Sequence, residues 1–266
     1  MTAYEKVMAA RDSKKLTAVD YIAHMFGESF IELHGDRRFA DDKAIVGGLG
    51  QLYNMPVTVI GIEKGRNTRE RMERNFGQAH PEGYRKALRL MKQAEKFHRP
   101  VLCLVDTSGA FPGIGAEERG QGQAIAENLM EMMTLKTPVL TILIGEGGSG
   151  GALALAVADE VWMFENAVYS VISPEGCASI LWKDSAKAPD AAEALKMTAQ
   201  DLFDLQVIER IIRQPKAEDN AMFESLKLLI SRTFEKNMEL SAEELIENRY
   251  NRFRKIGTSH LTTEIE

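Results

Sequence analysis

The chain has 266 residues, 44% of them hydrophobic and 27% charged, with a formal net charge of −6. That is enough for one large core or two modest domains of ordinary globular composition. The acidic balance, with no long basic run, argues against nucleic-acid binding.

No apolar run approaches the roughly 20 residues of a transmembrane helix, and the opening MTAYEKVMAARDSKK lacks the apolar stretch of a signal peptide. Cys103 and Cys177 are too few for a disulfide framework or a zinc site. The expectation is a cytoplasmic protein with no membrane attachment. Residues 4–11 read as a short helix, and Thr17 caps a second with Asp20 in its first turn. Val19, Ile22, Phe26, Phe30 and Leu33 keep helical spacing along it. His24 and His34 read as surface or packing residues. Ala44–Tyr53 and Val57–Ile62 read as strands joined by a tight turn at Asn54-Met55-Pro56. Gly47, Gly48 and Gly50 in the first of them suggest a bend or close packing. Five basic residues stand between Lys64 and Arg74, as a solvated loop or as a positive rim for phosphate or carboxylate groups.

Pro81 to Phe97 is an amphipathic helix with Tyr84, Leu88, Met91 and Ala94 on one face. A strand at 101–106 follows, with Cys103 as a small buried hydrophobe, and ends in the loop SGAFPGIGAEERGQG. The unit then repeats: helix 123–135, strand 139–144, and a second glycine loop leading into a small-residue helix at 151–158. Strands at 161–164 and 168–172, a helix from Pro174 to Leu181, helix within 190–203 and a last strand at 207–212 complete the middle. Helices fill 217–255, the second opened by the capping box Ser241-Ala-Glu-Glu244, and residues 258–266 fray. Strands alternating with helices imply right-handed crossovers, a largely parallel sheet and a ligand site at the strands' carboxyl ends. No flexible linker divides the chain, so residues 1–266 read as one domain with helical segments at about 1–35 and 217–256.

The second loop holds five glycines in the seven residues from Gly145 to Gly151 and admits three readings. Gly145-x-Gly147-x-x-Gly150, with Glu165 twenty residues on, matches a dinucleotide fingerprint, although the helix after it is short. Gly147-x-Ser149-x-Gly151 matches a nucleophile elbow, which needs a histidine base. Only His260 follows Ser149, while His80 and His98 precede it. The third reading is an oxyanion hole, in which the unpartnered N–H groups and dipole of the helix start stabilise negative charge on a bound oxygen.

The runs DDKAIVGG, KGR, ERNFG, PEGYRKALRLM, VDTSGAFPGIGAEERGQ, IGEGGSGGALA and YSVISPEGCASILWKD closely resemble the alpha subunits of bacterial acetyl-CoA carboxylase carboxyltransferases, over residues 17 to 255. The resemblance implies an α/β crotonase (ClpP/crotonase-like) fold, a spiral of repeated ββα units with N- and C-terminal helices. Compared with longer members the chain lacks an N-terminal helical extension, so contacts made by that extension are not expected. The resemblance further implies an α2β2 assembly with a beta subunit, working with a biotin carboxyl carrier protein and biotin carboxylase. Carboxyl transfer then runs from carboxybiotin on the carrier to acetyl-CoA, giving malonyl-CoA for fatty acid biosynthesis. Gly150 and Gly151 match the backbone donors thought to hold the biotin ureido oxygen. Gly147 and Gly148 shape that turn, and Gly109, Ala110, Gly113 and Gly115 border the cleft. Lys64 and Arg66 line the substrate entrance, and Ser173–Gly176 contributes to a wall or a subunit contact. The family's zinc ribbon belongs to the beta subunit, so no metal is expected here. Two alternatives stay open: a stand-alone crotonase-like hydratase or isomerase using carboxylates such as Glu117, Glu118 and Glu146, and a serine hydrolase using Ser149. An inert scaffold for the partner is the non-enzyme alternative.

Overall fold

In the computed structural model, which describes residues 1–258, the chain lays its strands into a mixed sheet with helices packed around it. Helices α1 (Ala3–Arg11) and α2 (Ala18–Phe26) lead into a short edge strand, β1 (Ile31–Glu32), and the hairpin β2 (Ile45–Leu52) and β3 (Met55–Ile62). Then come α3 (Thr68–Glu73), α4 (Pro81–Lys96), β4 (Val101–Thr107), α5 (Ile114–Glu118), α6 (Gln121–Met133) and β5 (Val139–Gly148). The next elements are α7 (Ser149–Leu153), β6 (Glu160–Phe164), β7 (Val168–Ser170), α8 (Pro174–Trp182), α9 (Ala188–Ala194), α10 (Ala199–Asp204) and β8 (Arg210–Ile212). Helices α11 (Asn220–Met238) and α12 (Ala242–Lys255) close the described chain.

The sheet runs β1-β2-β3-β4-β5-β6-β8, with β7 paired to the far end of β5. Pairing is antiparallel from β1 to β3 and parallel from β3 onward, so the expected largely parallel sheet is present. Its central strands read as unbroken apolar runs because both faces are covered: all seven residues of β4 are buried. One core cluster extends from Ala18 on α2 to Phe234 on α11.

The capping box expected at Ser241 is formed, and the cap expected at Thr17 is also a box, closed by Asp20. Elsewhere the boundaries differ from expectation. Helix α2 stops at Phe26, where Gly27 takes φ +51° and turns the chain, so Phe30 and Leu33 pack on the core from outside it. The hairpin turns at Tyr53 and Asn54, with Tyr53 at φ +54°, and Met55 and Pro56 already belong to β3. The helix expected within 190–203 is two helices, because Tyr169 N–H donates to Met197 O and Thr198 caps α10. The largest difference is in β5. It does not stop at Ile144 but continues as strand through Gly148, held there by β7 in the register Glu146↔Val168, Gly147↔Tyr169 and Gly148↔Ser170. The small-residue helix beyond it is correspondingly reduced to the five residues of α7.

Candidate active site

β4 and β5 are parallel neighbours, so their loops leave the sheet at the same edge. The two backbones meet there. A methyl group on Gly148 would stand 2.2 Å from Ser108 O, and one on Gly151 would stand 2.6 Å from Ala110 N and 2.7 Å from the Gly109 carbonyl carbon. Real Cβ atoms do not come so close to backbone, so only glycine lets the turn seat against the first loop. Thr107 fixes that first loop from within: its Oγ1 accepts from Gly109 N–H at 3.0 Å and donates to Gly109 O at 2.8 Å. Gln121 steadies the next stretch, its amide donating to Ala79 O and Phe111 O.

Gly150 and Gly151 lie in the single turn of α7, whose first N–H groups have no intrahelical acceptor. One turn aligns too few peptides for a sizeable macrodipole, so any anion-stabilising capacity here rests on individual N–H donors. Ser149 is exposed at φ +51°, a left-handed conformation in which a residue with a Cβ is strained. A cavity of about 410 Å³ opens beside it, walled by Gly150, Leu153, Tyr169, Leu202 and Phe253 and almost wholly apolar. A smaller recess of about 50 Å³ adjoins it, between Arg11, Glu146, Gly147, Gly148, Ser173 and Pro174. Ser149, Ser170 and Val171 line both.

Behind the turn lies a chain of charges. Asp106, at the end of β4, pairs with Lys15 and, at 2.9 Å, with Lys64, and its Oδ1 accepts the Glu146 N–H at 2.9 Å. Lys64 also reaches Glu146 at 2.6 Å, and Arg11 bridges Glu146 and Glu175, each at 2.7 Å. Three cations thus meet three carboxylates. Burial by itself raises the Asp106 pKa, but the two ammonium groups outweigh it and hold the carboxyl below its usual range. Burial likewise lowers Lys64, and Asp106 and Glu146 overcome that and raise it.

Of the residues singled out in the sequence, Gly147, Gly148 and Gly150 line the two hollows, and Gly151, Gly109 and Ala110 form the backbone contact between the loops. Lys64 is not at an open rim: a lysine this buried needs counter-charges, and both of its partners are carboxylates of the strand ends. Arg66 is exposed and faces Glu70 and Asp20 at 3.4 and 3.5 Å. Gly113 and Gly115 lie further out, at and within α5. Ser173 caps α8 by accepting the Gly176 N–H at 3.1 Å, and it lines the smaller recess.

The alternatives lose their geometry. With Gly145–Gly148 drawn into a strand and one helical turn after it, the dinucleotide pattern has no phosphate-cradling turn. Among the described residues no histidine is hydrogen-bonded to Ser149, and His260 lies outside them, as do 259–266 of the tail expected to fray. Glu146 is committed to Arg11 and Lys64, and Glu117 and Glu118 are exposed on α5. Among the described residues no group of three or more His, Cys, Asp or Glu side chains is disposed to hold a metal ion. No helix among them is long and apolar enough to cross a membrane. Residues that sequence reasoning missed are Arg11, Lys15 and Asp106; only Asp106, at the end of the apolar run VLCLV, carried a local signal.

The chain matches known proteins along almost its whole length. The acetyl-coenzyme A carboxylase carboxyl transferase subunit alpha of Ruminiclostridium cellulolyticum is 61% identical over 257 residues, covering 97% of this chain and 98% of the relative. Among solved structures, a Pseudomonas malonate decarboxylase hetero-tetramer in complex with coenzyme A superposes with a TM-score of 0.71 at 16% identity, covering 94% of this chain and 99% of that one. Transcarboxylase 12S with methylmalonyl-coenzyme A bound gives a TM-score of 0.67 at 18% identity, covering 83% of this chain and 43% of that one. At such identities the structural likeness bears on the fold, which is the expected crotonase type. With the family described as acetyl co-enzyme A carboxylase carboxyltransferase-like matching residues 1–257, the chain belongs to that family.

Proposed function

We propose that this chain is the alpha component of an acetyl-CoA carboxylase carboxyltransferase, supplying one half of a site that a beta subunit completes in an α2β2 assembly. The reaction moves a carboxyl group from carboxybiotin, presented on the biotin carboxyl carrier protein, to the methyl carbon of acetyl-CoA, giving malonyl-CoA. Biotin carboxylase recharges the carrier, and the assembly works in the cytoplasm. The observation that carries this reading is the start of α7: Gly150 and Gly151 offer N–H donors beside an apolar cavity, and the Gly109–Ala110 backbone braces them from behind.

When the carboxyl group leaves, its C–N bond breaks and negative charge collects on the ureido oxygen. Donors already aimed at that oxygen stabilise the charge without reorganising. The apolar wall keeps competing water away, which strengthens each donor. Carboxybiotin supplies the carboxyl group and, once relieved of it, a base for the methyl proton, so this chain needs no His–Asp pair. Its charged groups pair with one another behind the turn and hold the strand ends in place.

Malonyl-CoA-dependent carboxyl transfer to free biotin, with the chain and its cognate beta subunit mixed, tests the reading. Gly151→Ala would drive a methyl into Ala110 N and displace the donors, and we expect a loss of about 100-fold or more in rate. Gly150→Ala is the control. It keeps the N–H, and its methyl would sit 3.6 Å from Ile125 in ordinary contact, so the rate should hold within a few-fold. Gly151→Ala protein that folds, binds the beta subunit and transfers at the wild-type rate would refute the site.

A further inference from the structure

Tyr84 stands one turn into α4 and is completely buried, yet its hydroxyl has no hydrogen-bond partner among the described residues. The hydroxyl is not placed at random. It lies 2.9 Å from the point where a Cβ of Gly151 would be, and Ala110 N and the Gly109 carbonyl carbon lie 2.6 and 2.7 Å from that same point. Three groups therefore converge on one spot: the hydroxyl, the Gly109–Ala110 peptide and the Gly151 backbone. Ala110 N–H, like the hydroxyl, makes no hydrogen bond among the described residues.

A buried hydroxyl without a partner costs about 1–3 kcal/mol, and phenylalanine would fill the same ring volume without that cost. Packing alone therefore does not account for the oxygen. Resting on the oxyanion reading of the turn, we propose that Tyr84 is a positioning residue for this reaction. Its hydroxyl oxygen accepts the Ala110 N–H when a negatively charged oxygen bound at α7 draws the first loop toward the turn. The bond is thereby made in the transition state and left unmade in the resting protein, which lowers the barrier rather than strengthening ground-state binding. Burial first, and then Asp42, push the phenol's pKa above its ordinary value, so it stays a neutral hydroxyl with a lone pair free to accept. Tyr84 never reaches the cavity surface, so it acts through the backbone and not on substrate.

The test is Tyr84→Phe in the assembly with the beta subunit, compared by steady-state carboxyl transfer and by thermal unfolding. We expect kcat to fall about tenfold, equivalent to about 1.4 kcal/mol of barrier. KM for malonyl-CoA should stay within twofold, and the unfolding midpoint should be unchanged or higher. In a Gly151→Ala background the same change should cost little more, because both act through one turn. An unchanged kcat overturns the proposal. So does a lowered midpoint at unchanged kcat, which marks a packing role, and so does a full second loss in the double variant. A wild-type assembly that transfers no carboxyl group would instead refute the functional reading on which the proposal rests. Should Tyr84→Phe fail to assemble, amide hydrogen exchange at Ala110 in the wild type decides. Fast exchange there supports a bond left unmade in the resting assembly, and exchange as slow as that of a hydrogen-bonded amide overturns the proposal.

Discussion

Asp106 ends β4 with its carboxylate buried between Lys15, Lys64 and the Glu146 amide. Replacing it with asparagine leaves two ammonium groups facing one carboxylate, Glu146, and removes the charge that made their burial tolerable. We expect Asp106→Asn to lower unfolding stability by about 3 kcal/mol or more, read as a lower midpoint in urea. The pH dependence has a definite sign. Because the folded carboxyl titrates below its unfolded value of about 4, its contribution is complete above that pH and fades as the pH falls below it. Between pH 5 and 3 the wild type should therefore lose stability more steeply than Asp106→Asn; parallel slopes would show that Asp106 is not the group responsible. Ser149 gives a second residue-scale expectation. Its left-handed φ of +51° costs a side chain about 1 kcal/mol or more, so Ser149→Gly should raise the midpoint slightly and leave carboxyl transfer within a few-fold. Abolished transfer would bring the hydroxyl back as a chemical participant.

Helix α12 is held chiefly through its arginines. Arg249 is wholly buried, binds Asp159 through two nitrogens at 2.9 and 3.0 Å, and donates to the carbonyls of Met132, Leu135 and Thr137. Those carbonyls belong to the end of α6 and the approach to β5, so the arginine joins three parts of the chain. Three residues on, Arg252 clasps Glu209 at 2.7 Å, and Phe253 forms part of the apolar wall beside Gly150. Arg249→Leu leaves Asp159 buried without its partner, and we expect a loss of about 3 kcal/mol or more, with amide exchange in α12 quickening before the sheet's. Exchange that quickens everywhere at once would show that α12 is not separately held. Elements of this kind mark what can be read locally. The caps at Thr17 and Ser241 lie within three residues of their partners and were legible. The length of β5 was not, because its glycines disfavour strand in isolation and only pairing with β7 keeps them extended. Lys64 misled for a related reason: among neighbouring basic residues it reads as a rim, while the carboxylates it serves, Asp106 and Glu146, lie far along the chain, the second 82 positions away.

Across the whole molecule, the parallel order of β3 to β6 brings two separate glycine loops to one edge, where the proposed site lies. The repeated strand–loop–helix units made that edge legible, whereas the backing of the turn by Tyr84 depends on how α4 packs and left no mark in the spacing. The same architecture ties the beginning of the chain to its middle: Arg11 is bonded to Glu146 and Glu175, which lie 135 and 164 residues further on. A ribosome adding roughly 5–20 residues per second takes on the order of ten to thirty seconds to reach Glu175 after Arg11. Through most of that interval the cations of the first segment are made while the carboxylates they bind have yet to emerge. Such long-range closure is slow to find. The nascent chain therefore passes through a stage with its first cations unpaired and its sheet incomplete, and that stage is where a chaperone, or aggregation, has its opportunity.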